Sequence, residues 1–224
     1  MKTSELKKKI AGEKAVDSIE NGMTIGLGSG STVYWMLRKL KEKVDSGLNI
    51  KGIPTSKRTE GWAKEFGIPL TDFSETTKID LAIDGANEID TNLNLLKGGG
   101  GSLVREKIVN HLANRLIIIA DDGKLCNQLG KHHLPVEVVP FGWKATARSL
   151  EQLGCSTTMR LQDEQVFISD NGNYIIDCHF GLIENPNKLH EQLKLLVGVI
   201  ETGLFCNMTD LAIIGHEEKV ELLR

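Results

Sequence analysis

The sequence is short of aromatic residues: 2 Tyr, 3 Trp and 6 Phe in 224 positions, or 5%. So few rings leave little for a platform that stacks nucleobases, and Trp35, Trp62 and Trp143 read as core or interface residues. A basic surplus is missing too, with 27 Lys and Arg against 30 Asp and Glu and a net charge of −3. That excludes the electrostatic footprint of a nucleic-acid binder. Long hydrophobic runs are absent. The longest unbroken aliphatic stretch is Leu116–Ala120, far below the ~20 residues needed to cross a bilayer, so no membrane partner is expected. Cysteine is sparse: Cys126, Cys155, Cys178 and Cys206 form no C-x-x-C pair. Such spacing fits reduced thiols in the cytosol better than a disulfide framework or zinc site. The six histidines include no H-x-H or H-E-x-x-H spacing, and the adjacent His132 and His133 read as surface residues. No metal site is expected. The charged N-terminal segment runs into no apolar stretch of the kind a secretory signal carries, so the expected location is cytoplasmic and the sequon at Asn207 has no role.

Glycine, by contrast, is plentiful, and its placement is informative. Residues 97–107 read Lys-Gly-Gly-Gly-Gly-Ser-Leu-Val-Arg-Glu-Lys. Each ordered glycine costs roughly 0.5–1 kcal/mol relative to alanine, so four in a row suggest a backbone that approaches a ligand closely and points N–H groups at it. Lys97 before the loop adds a cation. Glu106, just inside the next helix, adds a possible base, and an anionic, oxygen-rich small molecule is the expected ligand. A second loop, Gly26-Leu-Gly-Ser-Gly-Ser-Thr, lies between a strand and a helix. Its N–H groups and the hydroxyls of Ser29, Ser31 and Thr32 are placed to bind phosphate at a helix N-terminus. A dinucleotide fingerprint would need glycine at Ser31, and a P-loop would need Gly-Lys-Ser/Thr; neither is present. A third segment, Asp84-Gly-Ala-Asn-Glu-Ile-Asp, follows a strand, where open α/β sheets bind ligands. Asp84 is the best placed of its carboxylates, Asp90 reads as a solvated turn residue, and Glu88 fits either role. Lys124, beyond another strand end, is a candidate phosphate contact.

Patterning supplies the frame. Helices are expected at 4–20, 33–44, 56–66 and 103–114, the last with a Val104, Ile108 and Leu112 stripe. Strands are expected at 23–28, 49–54, 68–73, 80–86 and 115–121. This alternation argues for an open, mostly parallel α/β sheet, Rossmann-like, with helices on both faces. Beyond residue 130 the order becomes strand 134–139, helix 144–153 and strand 157–161. Strands 165–169 and 174–178 are expected to pair across Asp170-Asn-Gly-Asn. Helix 187–197 and strand 199–205 then complete a β-α-β-β-α-β unit of ferredoxin-like plan. The expected division is residues 1–130 and 206–224 as the α/β catalytic domain and 131–205 as the smaller α+β domain, with strand 211–215 returning to the first sheet.

Together these segments resemble type A ribose-5-phosphate isomerase over nearly the whole chain. The likeness rests on GLGSGST, DGANE, KGGGGSLVREK, Ala120-Asp-x-x-Lys124, Leu134-Pro-Val-Glu-Val and Gly203-Leu-Phe. It implies an α/β domain with a ferredoxin-like domain, interconversion of ribose 5-phosphate and ribulose 5-phosphate, no metal or organic cofactor, and a homodimer or homotetramer with the smaller domain at an interface. Residue by residue, it implies Glu106 as general base, with Asp84 in ring opening and Lys97 in charge stabilisation. Ser29, Gly30, Ser31, Thr32, Asp84, Gly85, Ala86, Asn87, Lys97, Gly98, Gly99, Gly100 and Lys124 fall at substrate-binding positions. Asn87 departs from the family's usual aspartate, and Gly123 from a frequent serine. Two other classes fit the sequence less well. A non-catalytic sugar-phosphate-sensing domain would not need Glu106, and an acyl-thioester transferase would need room for a large coenzyme.

Overall fold

The computed structural model describes residues 3–224. They form two compact units: residues up to 86, with 105–124 and 208–224, and residues 87–104 with 125–207. The second unit therefore takes in 87–104, 125–130 and 206–207 besides 131–205. Elements are numbered in chain order across both units.

The first unit is built on a six-stranded sheet of β1 (Thr24–Leu27), β2 (Lys51–Pro54), β3 (Leu81–Gly85), β6 (Leu116–Asp121), β14 (Leu211–Gly215) and β15 (Val220–Leu223). Its order is β15-β14-β6-β3-β1-β2, parallel except for the edge strand β15. β6 is buried at every position, as a strand covered on both faces must be. The helices are α1 (Thr3–Ala15), α2 (Ser31–Asp45), α3 (Lys57–Glu65) and α4 (Leu103–Leu112), which begins in the second unit. Val33, Met36, Leu37 and Leu40 of α2 recur at helical spacing and pack on Ile25, Leu27 and Ile83. Fully burying such a side chain contributes roughly 1.5–3 kcal/mol. Gly26, between Ile25 and Leu27, faces the other way, toward Val109 of α4. Helices thus cover both faces. The strand expected at 68–73 is reduced to one bridge, Gly52–Leu70. Pro69 offers no N–H, and Asp72 turns the chain by accepting the Ser74 N–H at 2.7 Å.

The second unit holds β7 (Leu134–Val138), α5 (Trp143–Glu151), β8 (Ser156–Met159), β11 (Tyr174–His179), α6 (Pro186–Lys194) and β12 (Val199–Thr202). The antiparallel order β12-β7-β11-β8 is the ferredoxin-like arrangement. Its core joins Val136, Val138, Leu150, Ile176 and Leu193. Two short sheets complete it: β4 (Glu88–Ile89), β5 (Leu95–Leu96) and β13 (Leu204–Phe205), and the pair β9 (Leu161–Gln162) and β10 (Gln165–Val166). The expected hairpin of 165–169 with 174–178 is not formed. β10 pairs with β9, β11 pairs with β7 and β8, and only the bridge Ile168–Tyr174 joins the two segments. The competing factor is buried Glu137. Its Oε1 accepts from Ser169 Oγ at 2.8 Å and Asn173 Nδ2 at 2.9 Å, drawing the turn onto β7. The strand expected at 199–205 is likewise divided between two sheets at Gly203. Among the described residues, no helix is long and apolar enough to cross a membrane.

Candidate active site

In the first unit the candidate residues gather at the carboxyl ends of β1 and β3. Asp84 is fully buried at the end of β3. Its Oδ1 accepts the N–H groups of Ser29 at 3.0 Å and Gly85 at 2.7 Å, and its Oδ2 accepts Asn110 Nδ2 at 2.9 Å. Gly28 makes this approach possible: a Cβ there would lie 2.2 Å from Asp84 Oδ1 and 2.5 Å from Asp84 Cα. The Ser29 hydroxyl turns inward to Thr55, Ser56 and Thr59 at 2.9, 2.8 and 3.2 Å. The hydroxyl thus belongs to a buried cluster of four hydroxyl groups. Ser31 and Thr32 remain in the first turn of α2, where unpaired N–H groups and the helix dipole favour an anion.

Lys124 ends a short 3-10 turn, Asp122–Lys124. Lys7 of α1 reaches the same turn, its Nζ 2.9 Å from Asp122. That hydrogen bond holds the Asp122 carboxyl below its ordinary range and raises the Lys7 ammonium above its own. α1 in turn lies close to the start of α2, since a Cβ on Gly12 would meet the Thr32 carbonyl at 2.8 Å.

Glu106 sits in the first turn of α4 and is 5% exposed. The buried face of this helix is Leu103, Glu106, Val109 and Asn110, while Ile108 and Leu112 are 47% and 46% exposed. The apolar stripe expected on α4 is therefore not its core face. That face carries two polar side chains, Glu106 and the Asn110 that holds Asp84.

In the second unit, Lys97 follows β5 and is 2% exposed. Its backbone N–H donates to the Gly203 carbonyl at 2.8 Å, and its ammonium lies 5.3 Å from the centre of the Phe205 ring. The chain then turns at Gly98 (φ 92°) and Gly101 (φ 81°), a backbone region that favours glycine. Asn87 Oδ1 accepts the Gly99 N–H at 3.0 Å. The neighbouring carboxylates are structural. Asp90 is buried and accepts the Asn92 and Asn94 N–H groups, both at 2.8 Å, so it is not the solvated residue expected. Glu88 closes the 130–132 turn, accepting the Gly130 N–H at 2.8 Å and approaching His132 Nδ1 at 2.7 Å. His132 is thus engaged by a buried carboxylate. Among the described residues, no group of three or more His, Cys, Asp or Glu side chains is placed to hold a metal ion.

Residues 51–219 match the family model of ribose 5-phosphate isomerase A, also called phosphoriboisomerase A. The chain belongs to the ribose 5-phosphate isomerase A family. The "ribose-5-phosphate isomerase A 1" of Oceanobacillus iheyensis is 50% identical over 214 residues, covering 95% of this chain and 96% of its own. A solved D-ribose-5-phosphate isomerase in complex with phospho-erythronic acid superposes with a TM-score of 0.95, at 39% identity and 99% coverage of both chains. The ribose 5-phosphate isomerase of Plasmodium falciparum gives a TM-score of 0.94, at 42% identity and 98% coverage of both. The protein is accordingly an aldose–ketose isomerase interconverting ribose 5-phosphate and ribulose 5-phosphate, and nothing supports the sensor alternative. Sequence reasoning passed over Asn110, which holds Asp84, and Lys7, which reaches the Asp122–Lys124 turn. Asn110 carried one available signal, lying four residues after Glu106 on the same helix face.

Proposed function

We propose that this chain performs its family's isomerisation by opening the sugar ring and moving a proton through an enediolate, with Glu106 as the base. The conversion removes a proton from C2 and returns one to C1, and a single carboxylate within reach of both carbons can do both. The observation that carries the reading is Glu106 on the buried face of the helix that leaves the glycine loop. Buried Lys97 and the N–H groups of Gly98 and Gly100 supply fixed donors for the developing oxyanion. Asp84, oriented by three donors, assists ring opening. Ser31, Thr32, Lys124 and Lys7 take the phosphate, so binding energy at the far end positions the reacting end. The backbone of Gly30, Gly85 and Ala86 and the amide of Asn87 complete the contacts. The relative's phospho-erythronic acid supports this scheme, because its carboxylate presents paired negative oxygens as an enediolate does.

The route needs no metal or organic cofactor. We assign the enzyme to the cytoplasm and to the non-oxidative branch of the pentose phosphate pathway. Exposed Phe141, Leu195 and Val197 in the ferredoxin-like unit support a homodimer or homotetramer assembled through that unit. The deciding experiment is a coupled assay with ribose 5-phosphate on wild type and Glu106→Gln. The variant keeps the size and hydrogen bonding of the side chain, so kcat should fall by ~10²–10⁴ while substrate still binds. A folded variant with near-normal kcat would remove Glu106 from the role of base.

A further inference from the structure

Arg160 lies between β8 and β9, and its backbone N–H donates to the Ile175 carbonyl at 2.9 Å. Its Nε donates to Asp177 Oδ2 at 2.9 Å, and Nη2 donates to Asp177 Oδ1. The two side chains are only 14% and 17% exposed, so this forked ion pair holds the guanidinium in one orientation. The remaining nitrogen, Nη1, donates to the Gly98 carbonyl at 2.7 Å and approaches the Gly99 carbonyl at 3.3 Å. Asn87 Oδ1 meanwhile takes the Gly99 N–H at 3.0 Å. The carbonyl of Gly98 and the N–H of Gly99 belong to one peptide plane. That plane is held at both ends, by Asn87 at its N–H and by Arg160 at its carbonyl, which also accepts the Gly101 N–H at 3.0 Å within the turn.

Among the described residues every peptide bond is trans, so each N–H points opposite to its carbonyl. With the Gly99 carbonyl drawn toward Arg160, the Gly100 N–H is turned away from it. A run of glycines left unheld would sample many backbone directions. An oxyanion donor, however, is effective only when it is oriented before the charge appears. We propose that Arg160, locked by Asp177, is a positioning residue that presets the Gly98–Gly100 peptides and aims the Gly100 N–H at the oxyanion of the reaction. This rests on the reading of the glycine loop given under Proposed function. Asn87, Gly99, Arg160 and Asp177 also share the wall of a cavity of about 650 Å³ in the second unit, so a small cation has a path to the clamp.

The test compares wild type, Arg160→Ala, Arg160→Lys and Asp177→Asn in steady-state kinetics with ribose 5-phosphate, and in amide hydrogen exchange over residues 97–101. Arg160→Ala should lower kcat by ~10–100-fold, with KM changed by no more than about threefold, because the lost alignment acts in the transition state. Lysine keeps the charge but not the fork, so Arg160→Lys should recover little, and Asp177→Asn should show an intermediate loss. Millimolar guanidinium should restore part of the Arg160→Ala rate and none of the Glu106→Gln rate. Exchange at the glycine segment should quicken in the alanine variant. A merely structural role would lower the melting temperature with no rescue and no change in kcat per folded molecule. If alanine prevents folding, the lysine and Asp177→Asn variants decide the question by the same readouts. A folded variant with kcat within about twofold of wild type and unchanged exchange overturns the proposal. An inactive wild type would instead sink the functional reading, and the exchange data would still judge the clamp.

Discussion

Asn87 is where a single atom changes the chemistry on offer. The family usually carries aspartate here, and an amide cannot accept a proton near neutral pH. Its Oδ1 accepts the Gly99 N–H, so it holds the loop in addition to the substrate contact proposed for its amide. A carboxylate can accept the same N–H, and the loop should survive the exchange. Asn87→Asp should therefore alter kcat/KM by no more than about tenfold, roughly 1.4 kcal/mol, across about pH 5 to 9. A much larger gain would mean that the position is a missing acid–base group. Ser29 shows the same dependence on surroundings. Its hydroxyl reads as a phosphate ligand in the sequence, and in the fold it also meets three neighbouring hydroxyls.

At the scale of elements, the placement of Asp84 in the first unit is set by how closely β1 and β3 approach at their carboxyl ends. Gly28 N–H donates to the Ile83 carbonyl at 3.0 Å, which brings the next N–H, that of Ser29, onto Asp84. A methyl group on Gly28 would strike both the carboxylate and the backbone of Asp84. Gly28→Ala should cost about 1–3 kcal/mol in stability, as overpacked sites do. It should also lower kcat by at least about tenfold, since Asp84 must move. Thermal melting and the isomerase assay together check this, and a variant with wild-type kcat would show that Asp84 tolerates displacement. α4 teaches a related lesson. Hydrophobic spacing alone picks out Val104, Ile108 and Leu112, but the helix turns Glu106 and Asn110 inward. Its orientation is compatible with the polar pair because Asn110 is paired with Asp84.

At the scale of the whole molecule, the proposed chemistry is complete in protein side chains and backbone, and the proposed assembly buries apolar surface. Phe141 and Val197 are both 94% exposed and Leu195 is 84% exposed, and these are apolar side chains that the proposed assembly would cover. After exhaustive dialysis against EDTA the protein should keep its activity and show the mass of two or four chains by light scattering. Loss of activity restored by a divalent cation would overturn the metal-free route. A monomer at assay concentration would overturn the assembly.

The sequence by itself determined the strand–helix alternation, the ferredoxin-like order after residue 130 and the three loops that carry the candidate residues. These depend on periodicity and motif spacing, which are properties of neighbouring residues. Tertiary structure decided which hydroxyl joins a buried cluster, which face of α4 is buried, and which strand takes β11 as a partner. It also supplied the residues that sequence reasoning passed over. Asn110 meets Asp84 across 26 positions, Arg160 meets Gly98 across 62, and Lys7 meets Asp122 across 115. Such pairings have no local signature. They arise because a buried polar group must find a partner wherever the packed chain provides one, and only the folded backbone fixes which groups are within reach.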